Sequence, residues 1–230
     1  MNILWLGHGS FRIEIADQVL LIDPWITGNP MLDADQAQAA TNGATHILVT
    51  HGHFDHTADV VAISKATGAP VSAVYELGKH LHGAGAVEGH AFGKGGTITL
   101  GAVTATLVPA SHSSSIDVDG RGVYMGAECG FILKGEGKVI YVSGDTDIMA
   151  DMDWIGAFHK PDIGILSAGG YFTMDMAGAA YAAKRYFNFS TVIPCHYRTF
   201  PLLEQSAQAL TDGLPDVTVI EPQVMKAIPF

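Results

Sequence analysis

Thr50-His51-Gly52-His53-Phe54-Asp55-His56 packs three imidazoles and a carboxylate into the six residues from His51 to His56. The stretch follows the apolar run His46–Thr50 (HILVT), which reads as a buried strand, and precedes Thr57–Thr67, which reads as a helix. A loop at the C-terminal end of a strand aims several side chains at one point. Histidines at i and i+2 can share one ion, while Asp55 and His56 turn toward a second. Imidazole together with carboxylate suits Zn²⁺, Mn²⁺ or Fe. The bland alternative is a solvated loop with coincidental histidines, and the ligand density argues against it. A plain core role fits less well still, because buried imidazoles need partners or a metal.

Three further segments repeat the form of a strand with a ligand-type residue just beyond its end. Val103–Val108 leads to Pro109-Ala110-Ser111-His112, Val139–Val142 to Ser143-Gly144-Asp145-Thr146, and Thr191–Pro194 to Cys195-His196-Tyr197. Each alone is weak, since a lone His after a strand is commonly a satisfied surface residue. Four such strand ends in a two-sheet fold can converge on one edge.

The rest of the chain supplies those sheets. Ile3–Leu6, Phe11–Ile15 and Val19–Ile22 read as strands, followed by a polar connection over Thr27–Thr45. Val71–Val74 is a short strand leading into a helical stretch from Tyr75 to His82. Hairpins are expected at Thr97–Leu100 with Val103–Val108, and at Val123–Leu133 with Lys138–Val142. Beyond them come a strand at Ile163–Ser167, an Ala-rich helix at Asp175–Phe187, the strand Thr191–Pro194, a helix at Leu202–Leu210, and short strands at Val217–Ile220 and Val224–Ile228. This order predicts an α/β (α+β) layered sandwich in one domain over residues 1–230, with no Pro/Gly/Ser-rich linker dividing it.

Composition closes off other classes. With 48% apolar and 15% charged residues among 230, the chain is not disordered. A net charge of −11 makes it a poor nucleic-acid binder, since phosphate binding needs clustered cations. Cys129 and Cys195 are too few for a secreted disulfide scaffold. The opening MNILWLGHGS shows no signal peptide, and apolar runs fall far short of the roughly 20 residues of a membrane helix. A cytoplasmic protein acting on a small molecule is expected, with no membrane or nucleic-acid partner and with self-association left open. GxSxG, a P-loop and a three-glycine dinucleotide fingerprint are all absent.

The loop His51–His56 resembles the HxHxDH signature of the metallo-β-lactamase superfamily. Asp23, in Leu21-Ile22-Asp23-Pro24, is similar to its first motif, and His112, Asp145 and His196 to its third, fourth and fifth. GHGSF (Gly7–Phe11), DPWITGNP (Asp23–Pro30), ASHSSS (Ala110–Ser115), SGDTDI (Ser143–Ile148), FTM (Phe172–Met174) and HYRTFPLL (His196–Leu203) narrow the likeness. They resemble the branch of uncharacterised metal-dependent hydrolases related to ascorbate-6-phosphate lactonases and to N-acyl-phosphatidylethanolamine phospholipase D.

The resemblance implies a four-layer αββα sandwich with a metal site between the edges of its two sheets. By it, His51, His53 and His112 hold one ion, Asp55, His56 and His196 hold a second, Asp145 bridges both, and Asp23 braces the loop. Two divalent ions are implied, zinc foremost, with Mn, Fe and Ni as alternatives. The reaction implied is hydrolysis by a metal-bridging hydroxide of a small, anionic substrate: a lactone, an ester or amide, or a phosphodiester. A di-iron oxidoreductase and a non-catalytic metal-binding protein are alternatives on the same fold. The oxidoreductase relatives replace the second loop histidine with Glu, whereas this chain has His53.

Asp55 is expected to orient the nucleophile. His8, in the first turn, is expected to face the site as a proton relay or substrate contact. Tyr197 is a candidate oxyanion donor and Arg198 a candidate anion contact, while Cys195 reads as packing. The resemblance departs at Gly169-Gly170-Tyr171, where relatives carry a Gly-Asp pair, and at Asp175, where they have Gly. His46, His80, His82, His90 and His159 have no partner pattern.

Overall fold

The computed structural model describes all of residues 1–230. Its first sheet begins with the antiparallel meander β1 (Asn2–Gly7), β2 (Ser10–Ile15) and β3 (Gln18–Ile22). It continues in parallel through β4 (His46–Val49), β5 (Val71–Val74) and β6 (Glu88–Phe92). All of β5 and most of β4 are buried, as befits parallel strands covered on both faces.

The second sheet opens with the hairpin β7 (Thr97–Leu100) and β8 (Val103–Pro109). A separate two-stranded ribbon, β9 (Ser115–Val118) and β10 (Arg121–Tyr124), then stands outside both sheets. The second sheet resumes with β11 (Cys129–Gly135), β12 (Lys138–Val142), β13 (Ile163–Ser167), β14 (Thr191–Cys195) and β15 (Thr218–Val219). The last strand, β16 (Ala227–Pro229), returns to the first sheet beside β1.

Helices cover the outer faces. Within the long connection after β3 lies α1 (Ala37–Thr41), and α2 (Phe54–Thr57), α3 (Val60–Thr67) and α4 (Tyr75–Gly83) belong to the first half. The second half carries the short α5 (Met152–Trp154), α6 (Met176–Tyr186) and α7 (Gln208–Gly213). Asp175 caps α6, its Oδ1 accepting from Gly178 N at 2.6 Å. One continuous apolar cluster runs from Ile3 to Leu214 and draws on both sheets, giving the layered αββα arrangement.

Several elements differ from expectation. Val123–Leu133 is two strands, because the chain turns at Gly126 (φ +83°) and only then enters β11. The helix expected at Leu202–Leu210 does not form there. Glu204 N donates to Gly169 O at 2.9 Å and Glu204 O accepts from Arg198 N at 2.8 Å, so its backbone groups are spent on neighbouring loops. Helix begins only at Gln208. The helix read from Thr57 begins earlier, at Phe54, and breaks at Ala58-Asp59. There the Asp59 carboxylate accepts from Ile26 N and Thr27 N at 2.7 and 2.8 Å.

Candidate metal centre

Thr50 directly follows β4 and Asp23 directly follows the neighbouring β3. Asp23 Oδ1 accepts from Thr50 N at 2.7 Å, and Oδ2 accepts from Thr50 Oγ1 at 2.6 Å. Since the Thr50 hydroxyl proton goes to Asp23, its oxygen accepts from His51 Nδ1 at 3.0 Å. His51 therefore presents the lone pair of Nε2 inward. His56 Nδ1 donates to Asp23 Oδ2 at 2.8 Å, which turns its Nε2 inward too. One carboxylate thus fixes the tautomers of two imidazoles. Asp23 lies close enough to His51 and His56 to form a ligand group with them, but its oxygens are already taken.

The inward nitrogens form two sets. His53 Nδ1 lies 3.0 Å from His51 Nε2 and 3.2 Å from His112 Nε2. Asp55 Oδ2 lies 3.5 Å from both His56 Nε2 and His196 Nε2. Within each set the donor atoms lie within 4.8 Å of one another. Asp145 joins the sets through a single oxygen. Its Oδ2 is 3.0 Å from His196 Nε2, 3.5 Å from His56 Nε2, 3.8 Å from His112 Nε2 and 4.0 Å from His51 Nε2.

These residues fit divalent ions. His56 Nε2 is buried with no hydrogen-bond partner, between two carboxylates, and in the other set His53 Nδ1 stands 3.0 and 3.2 Å from nitrogens of His51 and His112. Such convergence of lone pairs is costly without a cation between them.

The backbone is bent to make this possible. His8, Asp23 and His196 take left-handed φ values of +53°, +45° and +61°, which side-chain-bearing residues adopt only where surrounding structure holds them. Gly144 (φ +60°) turns the chain so that Asp145 points in, and a Cβ there would lie 2.5 Å from Cys129 O.

His8 joins the group, with Nε2 2.8 Å from Asp55 Oδ2 and Nδ1 2.8 Å from Thr199 Oγ1. In the neutral imidazole, Nε2–H donates to the carboxylate and the Thr199 hydroxyl donates to Nδ1.

Tyr197 is not brought into the group. Its ring stacks on Trp5 at 5.6 Å and is fully buried, with its hydroxyl unpartnered, and it does not line the cavity. The chain turns at His196, so the next side chain faces the core. Arg198 is exposed, with its guanidinium 5.9 Å from the Tyr197 ring centroid. Cys195 is buried. Thr50 and Thr199 escaped the sequence reading, because a hydroxyl one residue before or three residues after a ligand carries no spacing signal.

Electrostatics bind the sets together. Burial foremost, with the charges of His196 and His56, lowers His8 to about 4, against the opposing hydrogen bond and charge of Asp55. Burial works to raise the Asp55 carboxyl, yet charge on His56 and the close imidazoles of His196 and His8 hold it well below the usual range. Burial likewise opposes charge on His196, but Asp145 and Asp55 raise it to about 9. His51, buried among other imidazoles, is pushed down.

A cavity of about 680 Å³ opens over this centre, its inner wall formed by His8, His53, Asp55, His112, Asp145 and His196. An adjoining open depression of about 650 Å³ shares Leu202 with it but brings no imidazole to its walls.

Residues 18–197 match the family model for the β-lactamase superfamily domain. The chain belongs to the β-lactamase superfamily. Over 230 residues it is 66% identical to a UPF0173 metal-dependent hydrolase of Roseobacter denitrificans, covering all of both chains. This superfamily member therefore sits within a family of metal-dependent hydrolases. The solved structure of Igni18, a metallo hydrolase from the archaeon Ignicoccus hospitalis, is 30% identical with a TM-score of 0.83, over 100% of this chain and 98% of that one. The fold is also that of CmlA, a di-iron β-hydroxylase from Streptomyces venezuelae, at 12% identity and a TM-score of 0.74 over 100% of this chain and 54% of that one.

Proposed function

We propose that this protein hydrolyses a small-molecule lactone, ester, amide or phosphodiester with two divalent ions. His51, His53 and His112 would hold one ion and Asp55, His56 and His196 the other, with Asp145 shared. One observation carries the reading: a single oxygen, Asp145 Oδ2, stands within 4.0 Å of ligand nitrogens from both sets, at the floor of an open cavity. Zinc fits this His/Asp set first, and Mn, Fe and Ni fit it as well.

Two ions placed there supply an acidified water and a Lewis acid for the developing oxyanion. The chain's own residues do the rest. Asp55 orients the nucleophile and takes up its proton. His8 holds Asp55 through Nε2–H, the carboxylate fixing the His8 tautomer, and Thr199 meets Nδ1 from behind. The buried walls around His51, His56 and His196 keep bulk water from diluting these interactions.

No lysine or arginine lines the cavity. Ions held there would therefore be the only cations on its walls, for an anionic reacting group or for the oxyanion formed during reaction. A cytoplasmic setting accords with two buried, unpaired cysteines. No helix is long and apolar enough to cross a membrane.

The test is to strip the full chain with a chelator, reload it with each of the four metals, count bound ions and assay lactones, phosphodiesters and thioesters. Two ions per chain and turnover only after reloading are expected. Turnover by the stripped protein, or retention of no ion, would overturn the reading.

A further inference from the structure

The outer walls of the cavity differ in kind from its floor. Phe54, Phe172, Phe200 and Leu202 surround its mouth, and Phe54, Phe172 and Leu202 are 65%, 49% and 53% exposed. Large apolar side chains left this exposed and gathered around one opening mark a surface built to be covered.

They are held in place. Phe54 packs edge-on to Trp25 at 5.6 Å, Phe200 lies 6.2 Å from Trp25 and 5.7 Å from His8, and Phe172 lies 6.3 Å from the His196 ring. Phe54 stands between the ligands His53 and Asp55, and Phe200 four residues after His196. The apolar wall is thus fixed to the same loops as the metal ligands.

Charge gives the other half of the argument. The only ionised side chains on the cavity wall beyond the ligand set belong to Asp117, on the β9–β10 ribbon, and Asp117 Oδ1 accepts from Gly120 N at 2.9 Å. A substrate carrying an acidic group away from the reacting centre would meet a carboxylate and no cation there.

We infer that the substrate is an uncharged carboxylic ester or lactone bearing a flat apolar group, seated between Phe54, Phe172 and Phe200 with its carbonyl over the Asp55–Asp145 floor. This rests on the hydrolytic reading above and names its substrate class. In the reaction, water oxygen bonds to the carbonyl carbon and the acyl C–O bond breaks. One water proton ends on the departing alkoxide, and the acid formed releases its own to solvent. No redox partner is needed. Asp117 is a specificity-determining residue that turns away acidic substituents.

The experiment uses the metal-loaded full chain with three carboxylic esters, methyl phenylacetate, methyl acetate and the ring-sulfonated phenylacetate ester, and one phosphodiester, diphenyl phosphate. Methyl phenylacetate is expected to be preferred to each of the others by about tenfold or more in kcat/KM, carried mainly by KM. Phe172→Ala should shrink the preference for the aryl over the methyl ester about tenfold. Asp117→Asn, which retains a turn-forming amide, should raise kcat/KM for the sulfonated ester relative to the neutral one.

Binding of benzyl ethyl ketone, an uncleavable isostere, is followed by the fluorescence of Trp25, with Trp25→Phe identifying its share of the signal. Preference for the sulfonated ester or the phosphate, or no binding of the ketone, overturns the inference. Ketone binding that Phe172→Ala weakens, without turnover of any ester probe, upholds the apolar seat but overturns the assignment of the substrate as an ester, while the hydrolytic reading stands or falls by the metal-reloading assay above.

Discussion

Asp145 is the residue on which the two-ion reading turns. Its Oδ2 faces nitrogens of both sets, so removing it leaves each set with its own three ligands but nothing shared. Asp145→Ala should bind about one ion in place of two and lose on the order of 10²-fold or more in rate, beyond the roughly 10–100-fold typical of residues behind the ligands. Metal counting by native mass spectrometry checks it, and two tightly held ions with near-normal turnover would count against it. Asp23 acts one layer back. Asp23→Ala unties Thr50 N, Thr50 Oγ1 and His56 Nδ1 together, so metal affinity should fall by about 10–100-fold while the fold persists by circular dichroism. Ligand-type residues were legible in the sequence because four sit in one loop and three stand just past strand ends. Tyr197 was misleading for a physical reason. Adjacency to His196 suggests a shared direction, but the left-handed turn at His196 sends the next ring back against Trp5.

Elements place these side chains more than they touch them. β12 ends at Val142, and the turn through Gly144 is what presents Asp145. Gly144→Ala forces a side chain into the left-handed region at about 1–2 kcal/mol, and its Cβ presses on Cys129 O and Thr50. The expected result is a lower midpoint in thermal unfolding and one ion lost. Unchanged metal content would mean that the turn tolerates a Cβ and that Asp145 is held by other contacts. The regular strands were readable to within a residue or two because their burial alternates or runs unbroken, as in Val71–Val74 and Ile163–Ser167. The segment Leu202–Ala207 was not, because helical spacing there loses to backbone pairing with Gly169 and Arg198, partners distant in sequence or across a turn. The ribbon β9–β10 was missed because its residues are polar or exposed and carry no buried face to impose a period.

At the scale of the whole molecule, burial sets the response to alkali. Burial pushes the Cys129 thiol up to about 12 and raises the Tyr141 hydroxyl above its ordinary range. Between the ordinary thiol value of about 9 and that raised value, the unfolded chain gives up protons that the folded chain keeps. The unfolded state then binds fewer protons, so stability falls as pH rises through this window. The thermal midpoint should drop between about pH 9 and 12, less steeply in Cys129→Ala, and the native protein at neutral pH should resist alkylation until denatured. A midpoint flat across that window would show that these groups ionise without unfolding the chain. The division of the ligands between the sheets reaches further still. On the two-ion reading the loop after β4 would offer two donors to each ion, while His112, Asp145 and His196 stand past strand ends of the second sheet. Neither ligand set is complete until the two sheets meet, so bound metal would strengthen the contact between them. Refolding rates should hardly respond to added metal, while unfolding slows as the ion concentration rises: the ions act as a latch on a door that must first swing shut by itself.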